Sequence, residues 1–210
     1  MKRSPAEIVR DYGPLPGIEQ VGGVTYDGET VWIATGKLQA LDPASGKILR
    51  SIDVAAHAGT AYDGRYLYQI ADNRIRKIDP LTGDVLATLD APGDACSGMA
   101  WAEGCLWVGH YRERKIHQID AVTGKLIRSI ESNRFVTGVT WADGELWHGT
   151  WEDEQSELRH IDPATGEVLE QLDMPPGLTV SGLESDGADR FYCGGGKSSK
   201  VRAVRRPSRS

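Results

Sequence analysis

The chain has 210 residues, a formal net charge of −6 and a pI near 5.4. That acidic balance disfavours nucleic acid and anionic membrane as partners, since both are met by basic surfaces. No apolar run approaches the roughly 18 residues of a membrane span, whereas six Trp and seven Tyr supply large apolar bodies for a core.

The start, MKRSPAEIVR, has no apolar stretch of the signal-peptide kind, so a cytoplasmic location is expected. Cys96, Cys105 and Cys193 are odd in number and form no CxxC pair, which points to free thiols in a reducing compartment rather than to a metal framework. Neither a metal nor a cofactor is expected.

Residues 7–12 (EIVRDY) read as a strand with no neighbour before it. A unit of about 40 residues then recurs, the signature of a propeller or solenoid. Each copy has a first strand, a turn glycine, a second strand with an aromatic, a third strand ending in an apolar-Asp pair, a Ser/Thr-Gly turn and a fourth strand. The first-turn glycines are Gly28, Gly64, Gly104, Gly144 and Gly187, at steps of 36, 40, 40 and 43 residues. The second strands carry Trp32, Tyr68, Trp107, Trp147 and Tyr192.

The fifth copy ends after its third strand, KVRAVRRP, while EIVRDY matches the fourth strands KILRSI and KLIRSI. The N-terminal strand is therefore predicted to complete the last blade and close the ring. The fold class is all-β: a single five-bladed β-propeller over 1–210, with four-stranded antiparallel blades at about 20–53, 54–90, 95–131, 135–173 and 179–206 plus 7–12. Arg206–Ser210 is expected to be a frayed basic tail.

On this fold the loops entering each first strand meet around the central channel, and the second-to-third-strand loops flank them. Gly23, Gly59, Gly98, Gly138 and Gly182 align at the first-strand starts. Before them stand Gly22, Ala58, Ser97, Thr137 and Ser181, all small and three of them hydroxylic. One step earlier, His57 and Cys96 take equivalent places on successive blades. His57 could serve as a base; a Cys–His nucleophile pair would lack an orienting third group. The blade-three loop His110–Arg114 and the blade-four loop Trp151–Glu154 form a taller, charged wall. His117 and His160 read as structural, His148 could face either a neighbouring blade or the pocket, and Cys105 and Cys193 read as buried and inert.

In blades four and five the wording LWHGTWEDEQSELRHIDPATGEV and SGLESDGADRFYCGGGKSSKVRAV resembles the glutamine cyclotransferases of the plant and bacterial type, as does GVTYDGETVWIATG in blade one. The resemblance spans nearly the whole chain. It implies a five-bladed propeller with a pocket at the channel mouth, where that family cyclises N-terminal glutamine with loss of ammonia through a proton-transferring glutamate. Trp151 and Lys197 fall on the family's loop tryptophan and last-blade lysine, and Trp32 replaces a tyrosine. Departures are as telling: Gly22, Ala58, Gly149 and Ser181 stand where the family has glutamine, the glutamate and two asparagines. Loss of the proton-transfer carboxylate costs about 10²–10⁴ in rate unless another group substitutes.

Two function classes follow. The first is a cyclotransferase-like enzyme acting on a small amide, amine or peptide end by acid/base chemistry, with Glu152, His57 and His110 as catalytic candidates. Its substrate would be held by Trp151, Lys197, Ser97, Thr137, Ser181, Cys96, Arg112 and Trp32. The second is a non-catalytic propeller binding a small molecule or peptide terminus in the same pocket. A protein-interaction scaffold is the weaker third reading, because the chain lacks the GH…WD wording of repeat scaffolds.

Overall fold

The repeated words Asp-Pro/Ala-x-Ser/Thr-Gly are turns held by their own aspartates. Asp42 accepts the Ala44 N–H at 3.0 Å and the Ser45 hydroxyl at 2.6 Å. Asp79, Asp120 and Asp162 hold Leu81, Val122 and Ala164 in the same way, at 2.8, 2.9 and 2.7 Å. These bonds favour the ionised carboxylate; the Ser45 hydroxyl holds Asp42, and the Thr123 amide holds Asp120, below the usual aspartate range. The glycines that close these turns have φ between +73° and +81°, a region in which a side chain is strained.

The resulting hairpins stack into five sheets in the computed structural model, which describes residues 1–208. Blade one comprises Gly23–Tyr26, Val31–Ala34, Gly36–Leu41 and Ile48–Ala56. Blade two comprises Thr60–Tyr62, Leu67–Ala71, Arg74–Ile78 and Val85–Asp90. Blade three comprises Cys96–Ala102, Cys105–His110, Lys115–Asp120 and Leu126–Glu131. Blade four comprises Phe135–Ala142, Glu145–Glu152, Gln155–Ile161 and Val168–Asp173. Blade five takes Gly182–Ser185, Arg190–Gly194 and Val201–Arg205 from one end of the chain and Ile8–Tyr12 from the other. There Ile8 pairs with Val204 and Tyr12 with Val201, antiparallel, so the ring closes as the sequence predicts. No described helix is long and apolar enough to cross a membrane.

The core lies between blades. The second-strand aromatics are each at most 3 % exposed. Trp32 packs with Leu67 and Ile78 of blade two, and Trp147 with Phe191 and Val204 of blade five. Burying a side chain of this size contributes about 2–3 kcal/mol. The aligned glycines let neighbouring inner strands touch: a Cβ at Gly98 would lie 2.4 Å from Val139 N, and one at Gly138 2.5 Å from Leu183 N.

Two features depart from expectation. Lys2–Pro5 forms a fifth strand on blade four, parallel to Val168–Asp173, with Lys2 3.0 Å from Glu170 and Arg3 2.8 Å from Asp173. Opposite charges facing each other along the edge explain why so short and polar a segment pairs at all. Nor is Arg206 frayed. It is 5 % exposed, its guanidinium meeting Asp143 at 2.7 Å, Glu145 at 3.0 Å and the Ala142 carbonyl at 3.2 Å. Two carboxylates and a carbonyl of blade four draw in a side chain that composition alone leaves in solvent. Arg209 and Ser210 lie outside the described residues.

This clasp joins blades five and four. Arg206→Ala is expected to lower the unfolding free energy by about 2 kcal/mol, the scale of hydrogen bonds to charged groups. Urea denaturation with an unchanged m-value is the check; a loss within error of zero would show the clasp to be incidental.

Candidate functional site

Two local rules place the side chains at the channel mouth. The first is a bulge opening the inner strands of blades three and four, where register slips between Cys96 and Met99 and between Val136 and Val139. The small ring residues sit at this entrance. Ser97 donates from its hydroxyl to the Val136 carbonyl of the next blade at 2.8 Å. Ser181 likewise donates to Val21 of blade one, and accepts the Gly196 N–H at 3.0 Å. Thr137 holds the same place on blade four, yet its hydroxyl is buried without a hydrogen-bond partner among the described residues. Leaving such a group unpaired costs about 1–3 kcal/mol.

The second rule is the period-two alternation of Glu145–Glu152. It presents Trp151 to the mouth and Glu152 to blade three, where Arg114 Nη2 lies 3.0 Å from Glu152 Oε1.

Together these placements line a cavity of about 700 Å³. Blade four contributes Thr137 and Trp151; blade five contributes Ser181 and Lys197, with Thr179 and Ser198 beside them. Tyr111 of blade three completes the wall, its ring stacked on Phe135 at 4.7 Å and 13° between planes. Arg114 lies 4.3 Å from the Phe135 ring centre. Lys197 is exposed and has no carboxylate at ion-pair distance among the described residues. No Asp, Glu or His is among the described residues lining this cavity.

Four of the expected ligand-holding residues thus meet in one place: Trp151, Lys197, Thr137 and Ser181. The others lie elsewhere. Trp32 is 1 % exposed between blades one and two, its Nε1 donating to Asp27 at 2.8 Å and Arg50 lying 4.9 Å from its ring centre. Ser97 is engaged with Val136, and Arg112 is exposed outside the cavity lining. Cys96 donates to the Gly93 carbonyl at 3.6 Å, and burial pushes its thiol up to about 12, which removes it as a nucleophile near neutrality.

The three catalytic candidates do not converge. Glu152 is held by Arg114. His110 is 2 % exposed inside blade three, accepting the Glu113 N–H at 3.2 Å and standing edge-on to His117 at 5.8 Å. His57 belongs to the blade-one/blade-two side of the ring, its ring nitrogen 3.6 Å from Asp72. His148 faces the neighbouring blade: burial lowers it to about 4, so it is neutral, and it lines a smaller cavity of about 250 Å³ beside Arg159 and Asn133. His117 is bonded to Ser129 at 2.7 Å and His160 stacks on Trp147 at 5.2 Å, both structural as expected. Cys193 is buried, while Cys105 is partly exposed.

Tyr111 is one letter of a charged loop in the sequence, and Glu184 belongs to no motif there. The signal for Glu184 was present. Two positions beyond the aligned glycines stand Thr25, Ala61, Ala100, Thr140 and Glu184, one ionisable residue in a layer of small ones.

The family model described as outer membrane protein assembly factor BamB matches residues 71–208. No curated protein sequence matches the chain at a significant level. Among solved structures, the Myxococcus xanthus glutaminyl cyclase is similar over 97 % of both chains, with a TM-score of 0.80 at 19 % identity. A chain of the Kuenenia stuttgartiensis hydrazine synthase has a TM-score of 0.53 at 19 % identity over 85 % of this chain and 57 % of that one. A chain of a mitotic checkpoint complex has a TM-score of 0.57 at 12 % identity over 96 % of this chain and 92 % of that one. At such identities the likeness is one of fold.

Burial also pushes the Cys193 thiol up to about 12. In native protein at pH 8, Cys96 and Cys193 should therefore stay unmodified by iodoacetamide over a period that fully labels denatured chain. Mass spectrometry of the digest reads each site, and rapid native labelling of Cys96 would reinstate it as a reactive group.

Proposed function

Since the chain belongs to the β-propeller family described as outer membrane protein assembly factor BamB, we propose that it is a binding propeller whose channel-mouth cavity holds a small molecule or peptide terminus. The observation that carries this reading is the make-up of the cavity. Trp151 and Tyr111 offer flat apolar faces, and Lys197 offers a cation with no carboxylate at ion-pair distance among the described residues. A ligand with a planar or apolar body and a carboxylate or carbonyl end satisfies both at once.

The same cavity argues against the acid/base reading. Proton transfer needs a titratable group within hydrogen-bond reach of the reacting atom, and Glu152, His57 and His110 all lie outside the described lining of the cavity. The glutaminyl cyclase resemblance then describes a scaffold retained while the chemistry of its mouth differs. A scaffold role in protein assembly is the second reading. It is favoured by the family description and by exposed apolar side chains on the outer rim, among them Leu81 at 84 % and Val122 at 82 % exposure.

The test pairs a calorimetric screen of small carboxylates and short peptides with an assay of ammonia release from glutamine-headed peptides. A ligand whose Kd rises about tenfold in Lys197→Ala, equivalent to about 1.4 kcal/mol, and further in Trp151→Ala supports the pocket. Ammonia release should stay at the uncatalysed rate. Turnover that vanishes in Trp151→Ala would overturn the binding reading in favour of an enzyme.

A further inference from the structure

Glu184 lies on the innermost strand of blade five and joins three blades. Its Oε2 accepts the Thr25 hydroxyl of blade one at 2.7 Å. Its Oε1 accepts the Thr140 hydroxyl of blade four and the Ser185 N–H, the latter at 2.9 Å. Thr25 and Thr140 are themselves fully buried. The remaining members of the layer, Ala61 and Ala100, carry no polar group. Blade five is the one assembled from both chain ends, so this carboxyl spans both seams of the ring-closing blade.

We propose that Glu184 is a protonation-dependent latch that sets how firmly blade five closes against blades four and one, and with it the fit between the two cavity walls that blades four and five supply. The second half of that statement rests on the binding reading above; the first does not.

Among the described residues no charged side chain pairs with this group. Burial drives its pKa from the ordinary 4.5 up to about 7, opposed by the Thr140 and Thr25 hydroxyls and the Ser185 amide. On the second strand of blade four, which also packs on the strand of Glu184, burial lowers His148 to about 4 and keeps it neutral; the other titratable neighbours are Tyr26 of blade one and Tyr192 and Cys193 of blade five. Burial raises all three, Tyr192 and Cys193 to about 12, so none changes charge near neutrality. The inner strand of blade four, Phe135–Ala142, contributes no titratable side chain. Because the folded pKa lies above the unfolded one, the latch contributes fully below about pH 4.5. Its contribution is lost as pH rises toward 7, and is level beyond.

Hydrogen-exchange mass spectrometry between pH 5 and 8, corrected for intrinsic exchange rates, tests the seam. Protection of Gly182–Ser185 and of the facing strand Phe135–Ala142 should fall by up to about tenfold per pH unit from 5 to 7, then level off. Blade two should show no such trend. Glu184→Gln keeps the shape without the charge and should flatten the profile. Infrared difference spectra should show a protonated-carboxyl band lost with a midpoint near pH 7 in wild type and absent from the variant. If Glu184→Gln fails to fold, Thr140→Val serves: it removes a donor to the carboxylate and should move the infrared midpoint upward. An acid already ionised at pH 5, or identical seam profiles in wild type and variant, would sink the latch. A ligand whose affinity ignores pH while the seam loosens would overturn only the link to the cavity. A screen that finds no ligand bears on the binding reading and leaves the seam measurements decisive for the latch.

Discussion

Antiparallel pairing of Ile8–Tyr12 with Val201–Arg205 closes the ring, and the other interfaces inherit their geometry from that closure. A blade alone exposes two apolar faces. Only in a closed circle does every face find a partner, which is why the buried side chains fall into clusters lying between sheets rather than within them. The seam is reinforced where it is weakest. Val21 bridges to Gly196, Ser199 donates to the Glu19 carbonyl at 3.0 Å, and Leu15 N–H donates to Ser199 at 2.8 Å. Arg206 then ties the last strand of blade five to the first turn of blade four.

The cavity arises because five similar units are not identical. A repeat that placed a satisfied serine at every ring position would seal the mouth with inter-blade hydrogen bonds of the Ser97–Val136 kind. Blade four breaks the pattern with Thr137, and blade five follows its second strand with the glycine run Gly194–Gly196, whose carbonyls and amides hold Thr179 and Ser181 rather than a bulky side chain. Asymmetry of that kind concentrates polar groups on one side of the axis. Blades one and two, with short connecting loops, contribute nothing to the described lining.

Most of the fold was legible in the sequence because its determinants are local. An aspartate two residues ahead of a turn amide, or a glycine at positive φ, acts the same way in each copy, so the repeat announces itself. Ring closure was legible too, since one strand was missing at one end and surplus at the other. The site was legible only in part. Thr137, Ser181, Trp151 and Lys197 follow from register and resemblance. Glu152 is suggested by its neighbour in sequence and Trp32 by the family resemblance, and strand alternation or inter-blade packing sends each to another face. Arg206 and Glu184 depend on groups from other blades, Asp143 and Glu145 for one, Thr25 and Thr140 for the other. No window along the chain brings those partners together.

The shared blade also orders events during synthesis. Ile8–Tyr12 is made before any complete blade and waits for its partner, Val201–Arg205, until all four intervening blades have been made. Contacts this distant in sequence slow the final closing step, because the loop they close must be ordered before they reward it. The stretch carrying Lys197 and Ser198 is made just ahead of that partner strand. A chain interrupted before Val201 therefore has neither a closed ring nor a fixed cavity wall, and its unpaired N-terminal strand remains available to cellular quality control.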